Sequence, residues 1–449
     1  LVCFPLWKIK RLLEIFMKVP LSALAILASA ILCFSSFGWA QQSDVSPLSL
    51  QDAIRATLEN NPQLATYGFR LKALTGERQT AALRPELHIN SEFENLAGTG
   101  EFSGVDAAEF TLSLSSVIEP RGQRDALLRV MTARQQQLES AQRVLTLDVL
   151  AQVTHQFIAV VAAQELLSIQ QQAQVLLQKN LQPLTQQVNA GRTNRAELLR
   201  AKAALARATI DLQHTRQQLD SERIKLGAFW GAIESDFGQM QANLLHLPVP
   251  LALPELLTQA SNNPDLVLLA DEVHLRAAEL RQSQARTNSP IAWNAGIRRM
   301  QASNDSALVV GISMPLGTTK RASGAIVTAT ANQQAAEYQR DSAVNQLQAT
   351  LMNLYSAQQQ ALMELEALRT DVLPLLEEAL EATTNAFNQG RYRYLELNLA
   401  QRELLDAQRE VILAATRVQT IHVDIQRLTG FNPHALANTA SHSVVKDLP

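Results

Sequence analysis

Cysteine is nearly missing from this 449-residue chain: there are two, Cys3 and Cys33, and both precede the point where an export signal would be cut. The exported polypeptide therefore carries no thiol, which excludes disulfides, thiolate–metal sites and a cysteine nucleophile. A basic surplus is lacking as well. The formal net charge is -3, with no clustered Lys and Arg face of the kind that tracks phosphates, so nucleic acid is not an expected partner. There is no Gly-x-Ser-x-Gly elbow, no phosphate-cradling glycine loop and no zinc motif. The eight histidines, among them His88, His155, His214, His274 and His422, form no pair at ligand spacing. No catalytic residue, cofactor or metal site is expected, and the chain does not read as an enzyme. Aromatics are also few, at 5% of residues.

The N-terminal segment reads as processing signal rather than fold. Lys18 precedes an apolar run from Leu21 to Phe34 that ends in Phe37-Gly38-Trp39-Ala40, the pattern of a secretory signal peptide over 17–40 with cleavage before Gln41. The run is shorter than the roughly 20 residues that span a bilayer. Residues 1–16, upstream of Met17, read as an overcalled start. Leu32 stands before Cys33, where a lipoprotein signal wants a small residue, so a lipid anchor is not expected.

What is present is a duplication, the first thing to seek in a long chain. Asn60-Asn61-Pro62 recurs as Asn262-Asn263-Pro264, Pro85 as Pro290, Pro120-Arg121-Gly122 as Pro315-Leu316-Gly317, and Gly191-Arg192 as Gly390-Arg391. Beyond the last landmark the match is in strict register. The ladder Leu198, Leu205, Leu212, Leu219 and Leu226 is answered 199 residues later by Leu397, Leu404, Val411, Val418 and Ile425. Ala201 and Ala208 are answered by Ala400 and Ala407, so each helix offers a narrow packing seam. The expected repeats are 41–240 and 241–432, followed by a flexible tail over 433–449.

Within each repeat the pattern predicts helix, helix, β-hairpin, long helix, long helix. Ser49 caps the first helix, with Asp52 as the partner of a capping box, and Pro62 opens the second. Period-two alternation over 87–96 and 109–118, and again in two segments within 291–314, predicts hairpins with one apolar face. Helical hairpins follow over about 122–231 and 318–428. Their first arms are on the order of 100 Å long at about 1.5 Å per residue, the first containing Pro183 as its one interior proline and the second interrupted near Pro374. Each returning arm is half as long, and the short helix opening at Pro62 is placed to stack end to end with it. Gln-rich tracts, Gln170–Gln172 and Gln358–Gln360, read as solvated faces.

Four strands of about ten residues have membrane-spanning length and alternation. They cannot close a barrel alone, and a free sheet edge in lipid costs several kcal/mol per unpaired amide. Several copies must therefore pool their hairpins, three giving about twelve strands. The duplicated order, the Gly-x-x-x-x-x-Glu turns from Gly191 to Glu197 and from Gly390 to Glu396, and the leucine ladders resemble the TolC family of outer-membrane efflux factors. Glu119-Pro120-Arg121-Gly122-Gln123-Arg124, the run Gly390 to Glu396, and Ala400-Gln401-Arg402 are similar to its cobalt-zinc-cadmium (CzcC-like) subgroup.

The resemblance implies a mainly α protomer with a small β part, whose homotrimer forms a 12-strand barrel in outer-membrane lipid and a long helical tunnel across the periplasm. It implies a passive exit duct for divalent heavy metals, served by a periplasmic adaptor (membrane fusion) protein and an inner-membrane pump of the RND type. A duct for drugs or secreted proteins, or a periplasmic coiled-coil scaffold, are the alternatives. Gly191, Arg192, Gly390 and Arg391 become the tip turns and expected adaptor contacts, the arginines also standing where a cation would cap helix carbonyls. Glu396 and Glu197 are candidates for a lumen acidic ring, which would favour cations, or else first-turn acids complementing a helix dipole.

Overall fold

The computed structural model describes residues 47–232 and 237–430. The expected start segment, export signal, Cys33 and tail all lie outside the described residues.

Ser49 caps α1 (Leu50–Asn60) by accepting from the Asp52 amide, and its hydroxyl donates to the Asp52 carboxylate at 2.6 Å. Pro62 then opens α2 (Pro62–Ala82), a position where its missing N–H is not needed. Strands β1 (His88–Glu94) and β2 (Glu109–Ile118) lead into α3 (Gln123–Asn189), a single 67-residue helix that runs through Pro183, and α4 (Arg195–Gly227) returns beside it. The same order recurs as α5 (Leu253–Ala260), α6 (Pro264–Ala285), β3 (Ile291–Met300), β4 (Asp305–Ser313), α7 (Thr318–Ala367), α8 (Leu373–Asn388) and α9 (Tyr394–Thr429). The predicted break near Pro374 is a π-helical turn, Leu368–Val372, between α7 and α8.

The four strands form one antiparallel sheet in the order β1-β2-β3-β4. Its register sorts most of the side chains by polarity, because directly opposed residues share a face; Val117, Met300 and Val309 are the larger apolar residues on the charged face. One face carries Ile89, Phe93, Phe110, Leu112, Leu114, Ile297, Leu308, Val310 and Ile312; the other carries His88, Glu92, Glu94, Glu109, Asn294, Arg298 and Asp305. All loops between paired strands lie at one end, and all connections to helices at the other.

The helices lie side by side along α3, which packs against α2, α4, α6 and α9, while α7 packs against α6 and α9. The largest apolar cluster sits midway along them. There residues of α3 from Leu150 to Ala163 meet Leu219 and Leu226 of α4, residues of α9 from Val411 to Val423, Ala53 and Ile54 of α1, and Met240 and Leu244 from the connection between repeats. Leu48 forms a parallel bridge with Met240, which ties the start of the described chain to that connection. Gln358 is an exception to the expected solvated tract: it lies 2% exposed on a seam of α7 with Leu351 and Leu365, seven residues to either side.

The recurring Asn-Pro landmark has a physical cause. The Asn61 side-chain oxygen caps α2 by accepting from the Gln63 and Leu64 amides, while its Nδ2 donates to the Phe229 carbonyl just past α4 at 2.9 Å. Asn263 does the same, capping α6 at the Asp265 amide and donating to the Leu428 carbonyl of α9 at 2.7 Å. One amide side chain thus satisfies the orphan donors of one helix and an orphan acceptor of another, splicing a short helix onto a long one as the sequence arithmetic anticipated.

Candidate functional site

Two regions could act on something outside the chain: the tips of the helical hairpins and the sheet. At each tip a Schellman turn reverses the chain. Gly191 and Gly390 adopt φ of +69° and +73°. The Gly191 and Arg192 amides donate to the Val188 and Gln187 carbonyls, and the Gly390 and Arg391 amides to Phe387 and Ala386, at 2.9–3.0 Å. A side chain at either glycine would meet open space, so backbone conformation alone requires glycine there. The carbonyls are capped by the arginine backbone amides. The Arg192 and Arg391 side chains are exposed and make no hydrogen bond or ion pair among the described residues.

The returning helices then diverge. Asn194 caps α4 by accepting from the Ala196 amide at 2.9 Å, and Thr193 donates to the Glu197 carboxylate at 3.0 Å. Arg393 holds the equivalent place on α9 and makes no side-chain capping bond. The side chains of α9 instead turn into the bundle. Tyr394 and Leu397 are buried with Leu184, Ala201 and Phe387, joining the two tips through one small core. Gln401, 5% exposed, accepts from the Asn180 amide of α3 at 2.9 Å. Burial raises the Tyr394 phenol pKa, with the weak Asn398 contact opposing, so the ring stays neutral.

Glu197 and Glu396 both stand at the third helical position, but in unlike surroundings. Glu197 is half-buried and lines a groove of about 520 Å³ over α3 between α4 and α9. Leu166, Ala173 and Leu177 form its floor, with Arg200, Arg207, Arg402 and Arg409 along its walls. Glu396 is exposed and has no partner among the described residues. The ladder positions lie inward: Leu212, Leu219, Leu226, Leu397, Val411, Val418 and Ile425 are buried, and Leu198, Leu205 and Leu404 half-buried.

Two ionic groups at mid-length are invisible to spacing rules because their members come from distant segments. Arg427 of α9 grips Asp265 with two bonds (2.7 and 3.0 Å) and Asp148 of α3 with one of 2.6 Å. Burial pulls the Arg427 pKa down, but the two carboxylates outweigh it and the net shift is upward. His155 of α3 meets Asp424 of α9 at 2.8 Å. No group of three or more potential metal ligands occurs among the described residues.

On the polar face of the sheet Arg298 reaches Glu94 and Glu109 at 2.9 Å each and Thr111 at 3.0 Å. At the helical end, Glu119 pairs with Arg124, and Gln123 donates to the Ala285 and Asn288 carbonyls, fixing the start of α3 to the end of α6. Among the described residues nothing covers the apolar face: Ile89, Leu308 and Ile312 are each more than 75% exposed. Water does not favour a contiguous apolar sheet of this kind.

Comparison with known proteins gives these features a frame. The sequence profile described as Outer membrane efflux protein matches residues 53–232 and 257–431. The chain is 25% identical over 387 residues to the cobalt-zinc-cadmium resistance protein CzcC of Cupriavidus metallidurans, covering 86% of this chain and 90% of that one. Among solved structures it superposes on CusC with a TM-score of 0.72 at 17% identity, covering 85% of this chain and 92% of that one. It also superposes on the outer membrane protein VceC of Vibrio cholerae, with a TM-score of 0.70 at 18% identity over 85% of this chain and 96% of that one.

Proposed function

Because the chain belongs to the outer membrane efflux protein family, and is thus an outer-membrane channel reaching into the periplasm, we propose that it works as a homotrimer, each copy giving four strands to a shared 12-strand barrel. The observation that carries this reading is the sheet, which among the described residues has its apolar face bare, its opposite face carrying the charged side chains but for Arg299, and both β1 and β4 unpaired along their outer edges. In lipid those edges must be paired, since each unsatisfied backbone group costs several kcal/mol. β1 continues from α2 and β4 runs into α7, so one edge of the protomer is β1 with α2 and the other is β4 with α7. Joining unlike edges head to tail closes a ring.

The duct is passive and performs no catalysis. Its cargo is divalent heavy-metal cations, delivered by an inner-membrane pump of the RND type through a periplasmic adaptor that docks at the tips around Arg192 and Arg391. The likeness to a cobalt-zinc-cadmium resistance protein supports that cargo over drugs or secreted proteins. The exposed Glu396, repeated by threefold symmetry, supplies an acidic ring at the tunnel mouth that favours cations. Two experiments test the reading. Detergent extracts of outer membrane should yield a trimer; recovery as a soluble periplasmic monomer, as a coiled-coil scaffold would be, sinks it. A deletion strain should lose tolerance to zinc, cobalt or cadmium, and loss of drug tolerance alone would replace the cargo.

A further inference from the structure

The two adjacent arginines of β3 lie on opposite faces of the sheet, and their surroundings could hardly differ more. Arg298, on the polar face, is neutralised by two carboxylates. Arg299 is the one charged residue on the apolar face of all four strands. It is exposed and has no carboxylate partner among the described residues. Its guanidinium donates to the Asn304 side-chain oxygen, Asn304 being held in left-handed backbone at φ 60° in the β3–β4 turn. Among the described residues no other group meets its remaining N–H donors.

Position along the strand narrows what those groups can meet. Arg299 stands directly across from Phe110, which is paired with Phe93 at 4.7 Å between ring centroids. These form a row one step from the loop end. Two apolar rows follow, through Ile297 with Leu308 and Ala295 with Val310, and then Trp293 beside Ile312 near the helical end. Aromatic residues thus bracket an apolar band, as they do at the two lipid interfaces of membrane barrels. The helices reach into the periplasm, so the loop end faces outward and Arg299 lies at the headgroup level of the outer leaflet. A cation in the hydrocarbon is costly, and one at its rim reaches for headgroups.

We propose that Arg299 binds a phosphate of lipid A, the phosphorylated glycolipid of the outer leaflet, at the rim of the barrel. The inference rests on reading the sheet as barrel wall. A guanidinium with several free donors suits a phosphate, which it can grip with two parallel bonds. Arg299 thereby fixes the height of the barrel in the membrane and makes one lipid contact per protomer.

The test is native mass spectrometry of the full chain, extracted as a trimer and incubated with bisphosphorylated lipid A, with the same lipid after dephosphorylation, or with phosphatidylglycerol. Wild type should retain bisphosphorylated lipid A about tenfold better than Arg299→Ala does, a difference well within one charge-assisted contact. Arg299→Lys should fall between them. Dephosphorylated lipid A should bind both proteins equally weakly. Equal retention by wild type and Arg299→Ala overturns the proposal, as does retention of phosphatidylglycerol as strong as that of lipid A. Should Arg299→Ala fail to assemble, the ratio between wild type and Arg299→Lys carries the same test. Failure to extract any trimer from wild type is a separate outcome that strikes the barrel itself.

Discussion

The two repeats share their turns and their asparagine splices, and differ in how their long helices and tips are stabilised. Both long helices begin after a left-handed glycine, Gly122 or Gly317, and both tips reverse through the same Schellman turn. Yet α3 is unbroken over 67 residues while its counterpart is interrupted by the π turn at Leu368–Val372 just before Pro374. The first returning helix is capped by Asn194; the second begins uncapped at Arg393 and relies on Tyr394, Leu397 and Gln401 packed against the first hairpin. Duplication has kept the backbone geometry that every stave needs and let the side chains specialise. The first hairpin is stabilised from within, the second by what it leans on.

The joints should give the widest separation. Asn263 is completely buried, whereas Asn61 retains slight exposure, and the second joint also holds the Arg427 cluster. Asn263→Ala should cost about 2–3 kcal/mol, losing a cap and leaving a buried carbonyl unpaired, and Asn61→Ala about 1–2 kcal/mol on the same grounds. Arg427→Gln should cost about 1–2 kcal/mol, since both carboxylates keep some solvent. Hydrogen exchange along α4 and α9 reads all three. Equal effects at the two asparagines would mean that the joints are interchangeable.

At the tips the comparison is between partners in register. Gln401 corresponds to Lys202, which is exposed. Gln401→Ala should cost about 1–2 kcal/mol by stranding the Asn180 amide, and Lys202→Ala less than about 0.5 kcal/mol as a surface change. Asn194→Ala should lose about 1 kcal/mol and Arg393→Asn should gain a similar amount, because only the second helix lacks a cap. Gly191→Ala and Gly390→Ala should match each other, at about 1 kcal/mol each for the left-handed backbone. An inequality there would show that the turns are less alike than their dihedral angles.

How legible this was depends on the range of the interaction. The landmarks Asn-Asn-Pro, Pro-x-Gly and Gly-Arg could be read from the sequence because each serves a local backbone need, and the alternation from Phe110 to Leu114 and from Leu308 to Ile312 displays the sheet's faces directly. The splice at Asn61 was anticipated as end-to-end stacking, but the bond to Phe229 that makes it spans 168 residues. The Arg427 and His155 contacts link helices 162–279 residues apart and leave no spacing signal. Gln358 misled because a glutamine tract looks solvated on any helical wheel until the partner helix is known. Glu197 and Glu396 hold equivalent places in the two repeats, and their surroundings differ because Thr193 donates to Glu197 where the second repeat has Tyr392, and because Glu197 lines the groove over α3 while Glu396 is exposed.

The smallest predicted difference comes from one more pair in register, Arg223 and His422. Arg223 donates through one guanidinium nitrogen to the Gly238 carbonyl. His422 can lose its charge, and burial lowers its pKa below the ordinary histidine value. The unfolded chain then binds this proton more tightly than the folded one, so folding stability declines as pH falls through about 6.5 toward the lower folded value. One such group changes stability by at most about 1.4 kcal/mol per pH unit, and a half-buried ring by less. His422→Gln should flatten the pH dependence of hydrogen exchange in the middle of α9 between about pH 7 and 5, whatever it does to the absolute level. A slope that survives in the His422→Gln protein would assign the acid sensitivity to another group.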